Sequence, residues 1–173
     1  MDEVRIATLN DWPFDLIMTF FQFEADFVDS LRCIPMQVRY KLDTCGIKLK
    51  LSDWNHFSEA ERQALVEKPC IESTEIEAYR EFLQQLVQQR YGAPAEEIPV
   101  SSHPDWMDIT TIPPSLEEKA EEIGVTITPQ QWAALTPLQR FALIKLSRPS
   151  HENKNFVPAL QEFHLYSNTV QIR

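Results

Sequence analysis

Hydrophobic side chains recur twice along the chain at the same helical spacing. The first stripe is Ile34, Val38, Leu42 and Cys45, and the second is Ile112, Leu116, Ala120 and Ile123. Both occupy positions i, i+4, i+8 and i+11, which lie on one face of an α-helix. Pro35 and Pro113 fit the first turn of each helix. Gly46 and Gly124 follow the stripes, where a helix often ends in a left-handed residue that glycine adopts at little cost.

The two stripes belong to a longer internal repeat. A shift of 78 positions aligns residues 34–66 with residues 112–144 and gives eight identical pairs, among them a glycine, a tryptophan and an arginine. Chance gives roughly two identities over such a window. A repeated unit usually buries its apolar face against its neighbouring copy. We therefore predict an all-α fold made of two pseudo-symmetric helix–short strand–helix repeats.

Each predicted first helix is followed by an alternating segment and then by a second helix. Residues 47–51 and 125–128 alternate apolar and polar side chains, which is typical of a short strand. We predict that these two segments pair with each other as a minor two-stranded ribbon. Ser58 and Glu61 form a capping box at the start of the next helix. Thr136, followed by a proline, is the counterpart in the second copy.

The longest predicted helix covers residues 74–91 and links the two repeats. Its apolar side chains form one continuous stripe, made of Ile76, Tyr79, Phe82, Leu83, Leu86 and Val87. Thr74 and Glu77 have the spacing of a capping box, and Gly92 follows the last residue as another left-handed stop.

These elements predict one domain over residues 20–173. Within it we expect repeat 1 at about 34–70, the linking helix, a connector at 92–111, repeat 2 at about 112–149 and a C-terminal segment at 150–173. A short terminal helix is expected over residues 161–165, after Pro158. Residues 1–19 are expected to be mobile or loosely packed. The phenylalanine-rich residues 20–27 fit a strand and a helix equally well.

The amino-acid composition limits the classes of protein to which the chain could belong. The chain has 173 residues, of which 43% are hydrophobic and 24% charged, as in ordinary globular domains. The net charge of −10 argues against binding DNA or RNA, which requires a basic surface. The longest apolar run near the start, residues 16–23, is too short to cross a bilayer. The chain has three cysteines without C-x-x-C spacing, and no basic segment follows Met1. These features predict a cytoplasmic protein with free thiols.

No residue pattern predicts an active site or a metal site. Cys33, Cys45, Cys70 and His56 lack the close spacing of zinc or iron–sulfur ligands. Cys33 lies beside Arg32, but no sequence signature of a nucleophile accompanies it. The chain has neither a P-loop nor a G-x-G-x-x-G motif. We therefore predict no catalytic residue, no metal and no cofactor, with buried or incidental cysteines.

Two features are candidates for protein binding. The repeated pairs Trp54/Arg62 and Trp132/Arg140 fit a binding hot spot, but their recurrence favours a structural tryptophan covered by an arginine stem. The second feature is a set of largely basic residues around the first predicted helix and strand, here called the basic island: Arg32, Arg39, Lys41, Asp43, Lys48 and Lys50. It fits a partner-docking patch, and a solvated helix face explains it nearly as well.

Four parts of the sequence carry a family resemblance: residues 21–27 (FQFEADF), residues 31–36 (LRCIPM), residues 41–49 (KLDTCGIKL) and Trp54. They resemble the nitrate reductase-associated proteins, which are small proteins found with assimilatory nitrate reductase, mainly in cyanobacteria. The resemblance is specific to about residue 70 and looser to about residue 165. It implies a non-catalytic accessory protein that binds nitrate reductase and supports its maturation or activity. The family carries no catalytic motif that could be transferred.

Two alternatives remain open at the level of sequence. One is a metal- or cofactor-handling protein that delivers molybdenum cofactor or iron–sulfur components through its cysteines. The other is a small regulatory module with a pocket between the repeats.

Overall fold

The computed structural model describes residues 20–149 and 154–167, and these are mostly helical. The α-helices are α1 Ala25–Val28, α2 Met36–Cys45, α3 Leu51–His56, α4 Glu59–Glu67, α5 Ser73–Tyr91, α6 Pro114–Glu122, α7 Pro129–Ala134, α8 Pro137–Ser147 and α9 Phe156–Glu162. Short 3-10 helices cover Gln22–Glu24 and Asp105–Met107, and the strands are β1 Ile47–Lys48 and β2 Glu96–Glu97. The predicted helical class with a minor two-stranded sheet is confirmed. None of the described helices combines the length and the apolar composition that a bilayer span requires.

The chain divides into two compact units, with the division between Ser102 and His103. The first unit contains α1 to α5 and both strands, and the second contains α6 to α9. Helices α2, α3 and α4 each begin 78 residues before α6, α7 and α8, respectively. The pseudo-symmetry of the repeats and the single domain from residue 20 to 173 stay predictions. The segment expected to be mobile, residues 1–19, lies outside the described residues.

The start of the first unit follows the helical alternative for residues 20–27, with a 3-10 turn leading into α1. Pro35 is the N-cap of α2, with extended backbone, and not a first-turn residue. Helix α2 packs against α4 and α5. Its apolar side chains join a core that includes Trp54, Leu65 and Tyr79. Most residues of α2 are buried, so this helix lies inside its unit rather than on its surface.

The helix starts show which capping residues were predicted correctly. Ser58 and Glu61 form the predicted box at α4, with Ser58 N–H donating to Glu61 at 2.7 Å. Thr136 caps α8 as predicted, with Gln139 N–H donating to its hydroxyl at 3.1 Å. The box predicted at Thr74 and Glu77 is wrong. Helix α5 begins at Ser73, and Glu75 accepts the N–H of Glu72 at 3.0 Å.

The sheet joins different segments from those predicted. Strands β1 and β2 pair antiparallel, with Ile47 opposite Glu97 and Lys48 opposite Glu96. The predicted pairing of residues 47–51 with residues 125–128 is therefore wrong, and residues 125–128 form no strand. One reason is the length of each alternating segment. The first is cut short because α3 begins at Leu51, and the second ends at the N-cap of α7.

The second unit is organised around α8, which is buried on nearly all sides as its composition predicts. Helix α8 contacts α6, α9 and the 3-10 turn Asp105–Met107. Helix α9 begins earlier than predicted and contains Pro158 in its first turn. A proline is tolerated there because the first N–H groups of a helix have no partner within the helix.

Candidate functional site

The basic island does not form one exposed surface. Its members differ in burial: Arg32, Lys48 and Lys50 are exposed, and Arg39 and Asp43 are half-buried. The side chain of Lys41 is only 1% exposed. The expectation that Lys41 lies on a solvent-facing side of α2 is therefore wrong. The reason is that α2 is packed on more than one side, which a single apolar stripe does not reveal.

The ammonium group of Lys41 hydrogen-bonds to carbonyl oxygens at the C-terminal end of α4. Its Nζ donates to the carbonyl oxygens of Val66 and Lys68, each at 2.6 Å, and lies 3.5 Å from that of Leu65. The last carbonyls of a helix carry partial negative charge and have no partner within the helix. Burial lowers the pKa of Lys41 to about 8, and the nearby thiol of Cys70 opposes that shift. Lys41 is thus a structural residue that joins α2 to α4.

A tyrosine and two thiols surround this lysine. The hydroxyl of Tyr79 donates to Leu65 O at 2.8 Å, and Lys41 Nζ lies 5.4 Å from the centre of the Tyr79 ring. Burial raises the pKa of Cys45 to about 11 and that of Cys70 to about 12. The thiolate is the form that attacks electrophiles and binds metals. Both thiols therefore stay protonated near neutral pH, as expected of cysteines that serve packing.

Metal-binding side chains are not brought together in the part of the chain that the structure describes. No group of three or more His, Cys, Asp or Glu side chains there could hold a metal ion. Cys33 is half-buried, whereas Cys45 and Cys70 are buried in the core.

The exposed part of the basic island lies beside acidic side chains. Lys48 forms an ion pair with Glu96 across the sheet at 3.4 Å. Arg80 of α5 pairs with Glu97 of the same strand and also donates to Cys45 O at 2.6 Å. Both glutamates of β2 are thus paired with cations of their own unit. This pairing holds β2 over the end of α2 and lowers the net positive charge of the island.

The tryptophan–arginine pair of the first unit is structural. Trp54 is fully buried, and its indole N–H donates to Leu31 O at 2.6 Å. Arg62 Nη1 donates to the same carbonyl at 2.9 Å. Leu31 has a φ of 49°, a left-handed conformation that is costly for a leucine. Two donors on one carbonyl hold the backbone in this conformation.

The pair of the second unit has the same kind of role. Trp132 Nε1 donates to Asp108 O at 2.8 Å. Arg140 is fully buried, donates to Trp106 O at 2.7 Å and also bonds to Leu135 O. Trp54, Trp132 and Arg140 are fully buried and cannot contact a partner, and the half-buried Arg62 donates to the carbonyl of Leu31. Both pairs therefore match the structural interpretation and not the binding hot spot.

Sequence reasoning assigned no role to Glu24, whose side chain is 1% exposed. One oxygen accepts from Met36 N at 2.6 Å and the other from Phe21 N at 3.1 Å. The carboxylate therefore caps the N-terminus of α2, where negative charge is stabilised. The sequence contains one signal for this role, which is the position of a charged residue within the phenylalanine-rich residues 20–27.

Comparison with known proteins yields one informative match. No curated protein and no solved structure matches the chain. The model of a protein family described as conserved nitrate reductase-associated proteins matches residues 20–163. That range includes Glu24, Lys41, Trp54 and Arg140, the residues whose structural roles are given above. The chain therefore belongs to the conserved nitrate reductase-associated protein family.

Proposed function

We propose that this protein is a non-catalytic accessory protein that binds assimilatory nitrate reductase in the cytoplasm and supports its maturation or activity. The observation that carries this proposal is the family match over residues 20–163, because the family description names nitrate reductase. We also propose that the two repeats, at about residues 34–70 and 112–149, are pseudo-symmetric copies of one helical building block.

The roles of the motif residues support a function by surface contact. Glu24 caps the start of α2, Lys41 donates to carbonyl oxygens at the end of α4, and Trp54 donates to the carbonyl of Leu31. These residues lie in the segments that carry the family resemblance, and they stabilise the interior of the first unit. A reaction centre would require reactive side chains gathered at an accessible place. The geometry fits a scaffold that presents a surface to another protein.

The burial of two cysteines disfavours the alternative of metal or cofactor delivery. Transfer of a metal ion between proteins requires accessible thiolates. Cys45 and Cys70 are each 2% exposed, and burial raises the pKa of both thiols. Neither thiol can therefore take part in such a transfer without a large opening of the core.

We propose that the docking surface for the reductase includes Arg32, Lys48 and Lys50, with Arg39 and Asp43 at its margin. Exposed cations of this kind set the orientation and the association rate of a complex with an acidic partner surface. Lys41 is not part of this surface, because it is buried.

Co-purification tests the function. Affinity-tagged protein should retain nitrate reductase from cell extract, and deletion of its gene should lower reductase activity and growth on nitrate but not on ammonium. Unchanged reductase activity in the deletion strain would refute the role.

Charge reversal tests the proposed surface. Lys48→Glu combined with Lys50→Glu should reduce retention of the reductase, whereas Lys154→Glu, an exposed lysine of the second unit, should not. Undiminished retention by the double variant would remove the surface while leaving the function intact.

A further inference from the structure

The two units differ at the segment that follows the glycine of the repeat. In the first unit this segment is covered by the protein's own chain. Strand β1 is paired with β2, and Gly46 O accepts from Ile98 N at 2.9 Å. A Cβ atom on Gly46 would lie 2.6 Å from Cγ2 of Val100. The edge beside Gly46 is therefore fully occupied.

The equivalent segment of the second unit has an open edge. Residues 125–128 alternate, with Val125 and Ile127 buried and Thr126 and Thr128 exposed. The peptide groups of Thr126 and Ile127 make no backbone hydrogen bond within the described residues. A Cβ atom on Gly124 would have no described atom within 4 Å. No described residue thus takes the place that residues 96–100 take in the first unit.

We propose that residues 124–127 are a docking edge for an extended, basic segment of a partner protein. The segment adds to the edge as an antiparallel strand, in the place that β2 takes in the first unit. Unpaired N–H and C=O groups on an extended segment are a template for strand addition. Because Val125 and Ile127 anchor the edge in the core, the backbone is already in position for pairing.

The charge around the edge determines the kind of partner. Helix α6, which leads directly into the edge, exposes four carboxylates: Glu117, Glu118, Glu121 and Glu122. The cation within α6, Lys119, is half-buried and pairs with Glu122 at 3.3 Å. An acidic segment would be repelled here. A second copy of this chain, with its net charge of −10, is disfavoured for the same reason.

The test uses the full chain labelled with 15N and a synthetic probe, and does not require the reductase. The probe is a six-residue peptide, capped at both ends, that alternates lysine with valine. We expect saturable shifts of the amide signals of residues 124–128 and slower hydrogen exchange at Thr126. A peptide with glutamate in place of lysine should bind at least tenfold more weakly. Equal binding of both peptides, or no response at residues 124–128, would overturn the proposal.

Two variants distinguish binding through backbone hydrogen bonds from nonspecific binding. Thr126→Pro removes the N–H and should weaken binding of the lysine peptide at least tenfold, whereas Thr126→Ala keeps the N–H and should change it less than twofold. If Thr126→Pro does not fold, Glu118→Lys combined with Glu121→Lys should reverse the preference between the peptides. Unaltered preference would contradict the proposal. Concentration-dependent dimerisation that perturbs residues 124–128 would identify a second copy as the occupant and would also contradict it.

Discussion

The Nζ atom of Lys41 and the carbonyl oxygen of Val66 are 2.6 Å apart and join α2 to the end of α4. The same ammonium also donates to Lys68 O, so a single side chain satisfies the backbone where α4 ends. Tyr79 supplies a second buried donor at Leu65 O. The end of α4 therefore depends on two residues that lie far from it in sequence.

Replacement of Lys41 by methionine should lower the free energy of unfolding by about 3 kcal/mol at pH 7. Methionine fills much of the volume but leaves buried carbonyl oxygens without a donor, and unsatisfied buried groups cost about 1 to 3 kcal/mol each. Urea unfolding measures the change. Lys119, the residue 78 positions later, is the control, because its side chain is 28% exposed. Lys119→Met should cost less than about 0.5 kcal/mol, and equal losses would contradict the role of Lys41.

The stability difference between the wild type and Lys41→Met should depend on pH. Burial lowers the pKa of Lys41 from 10.5 to about 8 in the folded protein. Between these values the unfolded chain binds more protons than the folded one, so the lysine's contribution rises with pH. The wild type should therefore gain up to about 3 kcal/mol over the variant between pH 8 and pH 10.5, and stay level below pH 7.

Urea unfolding at several pH values from 6 to 10.5 measures this difference. The comparison between two proteins removes the contribution of the other titrating groups to first order. A constant difference across the range would show that the folded pKa of Lys41 is not lowered.

The three thiols should react with a disulfide reagent at very different rates. Burial raises the pKa of Cys45 to about 11 and that of Cys70 to about 12, so almost no thiolate is present at pH 8. Cys33 is half-buried and not enclosed in the core. Native protein should release the reagent's chromophore rapidly from about one thiol, and unfolded protein from all three. Cys33→Ser should abolish the rapid phase, and its survival in that variant would locate an accessible thiol elsewhere.

Local features of the fold could be predicted from the sequence because they depend on neighbouring residues. The left-handed stops at Gly46, Gly92 and Gly124 have φ values of 75°, 71° and 76°. The capping boxes at Ser58 and Thr136 also involve contacts only three residues apart. Each of these depends on backbone geometry that a few residues determine.

Long-range relationships could not be predicted in the same way. Alternation in residues 47–51 indicated a strand but carried no information on its partner, which lies almost fifty residues later at Glu96–Glu97. The charge of Lys41 suggested exposure, although its environment is set by residues of α4 and α5. The basic island was defined from residues that are close in sequence, and such residues need not share one surface. The proposed docking surface therefore excludes Lys41, which is buried.

The two glycines of the repeat should respond differently to alanine. At Gly124 only the left-handed backbone is unfavourable, since no described atom lies within 4 Å of the added Cβ, so Gly124→Ala should cost about 1 to 2 kcal/mol. At Gly46 the added Cβ would also lie 2.6 Å from Val100 and 2.9 Å from Ile98 O. Displacing that backbone adds about 1 to 3 kcal/mol of overpacking. Gly46→Ala should thus be clearly the less stable variant in urea unfolding. Equal losses would mean that the edge beside Gly124 is covered as closely as that beside Gly46, and the docking proposal would then lose its main support.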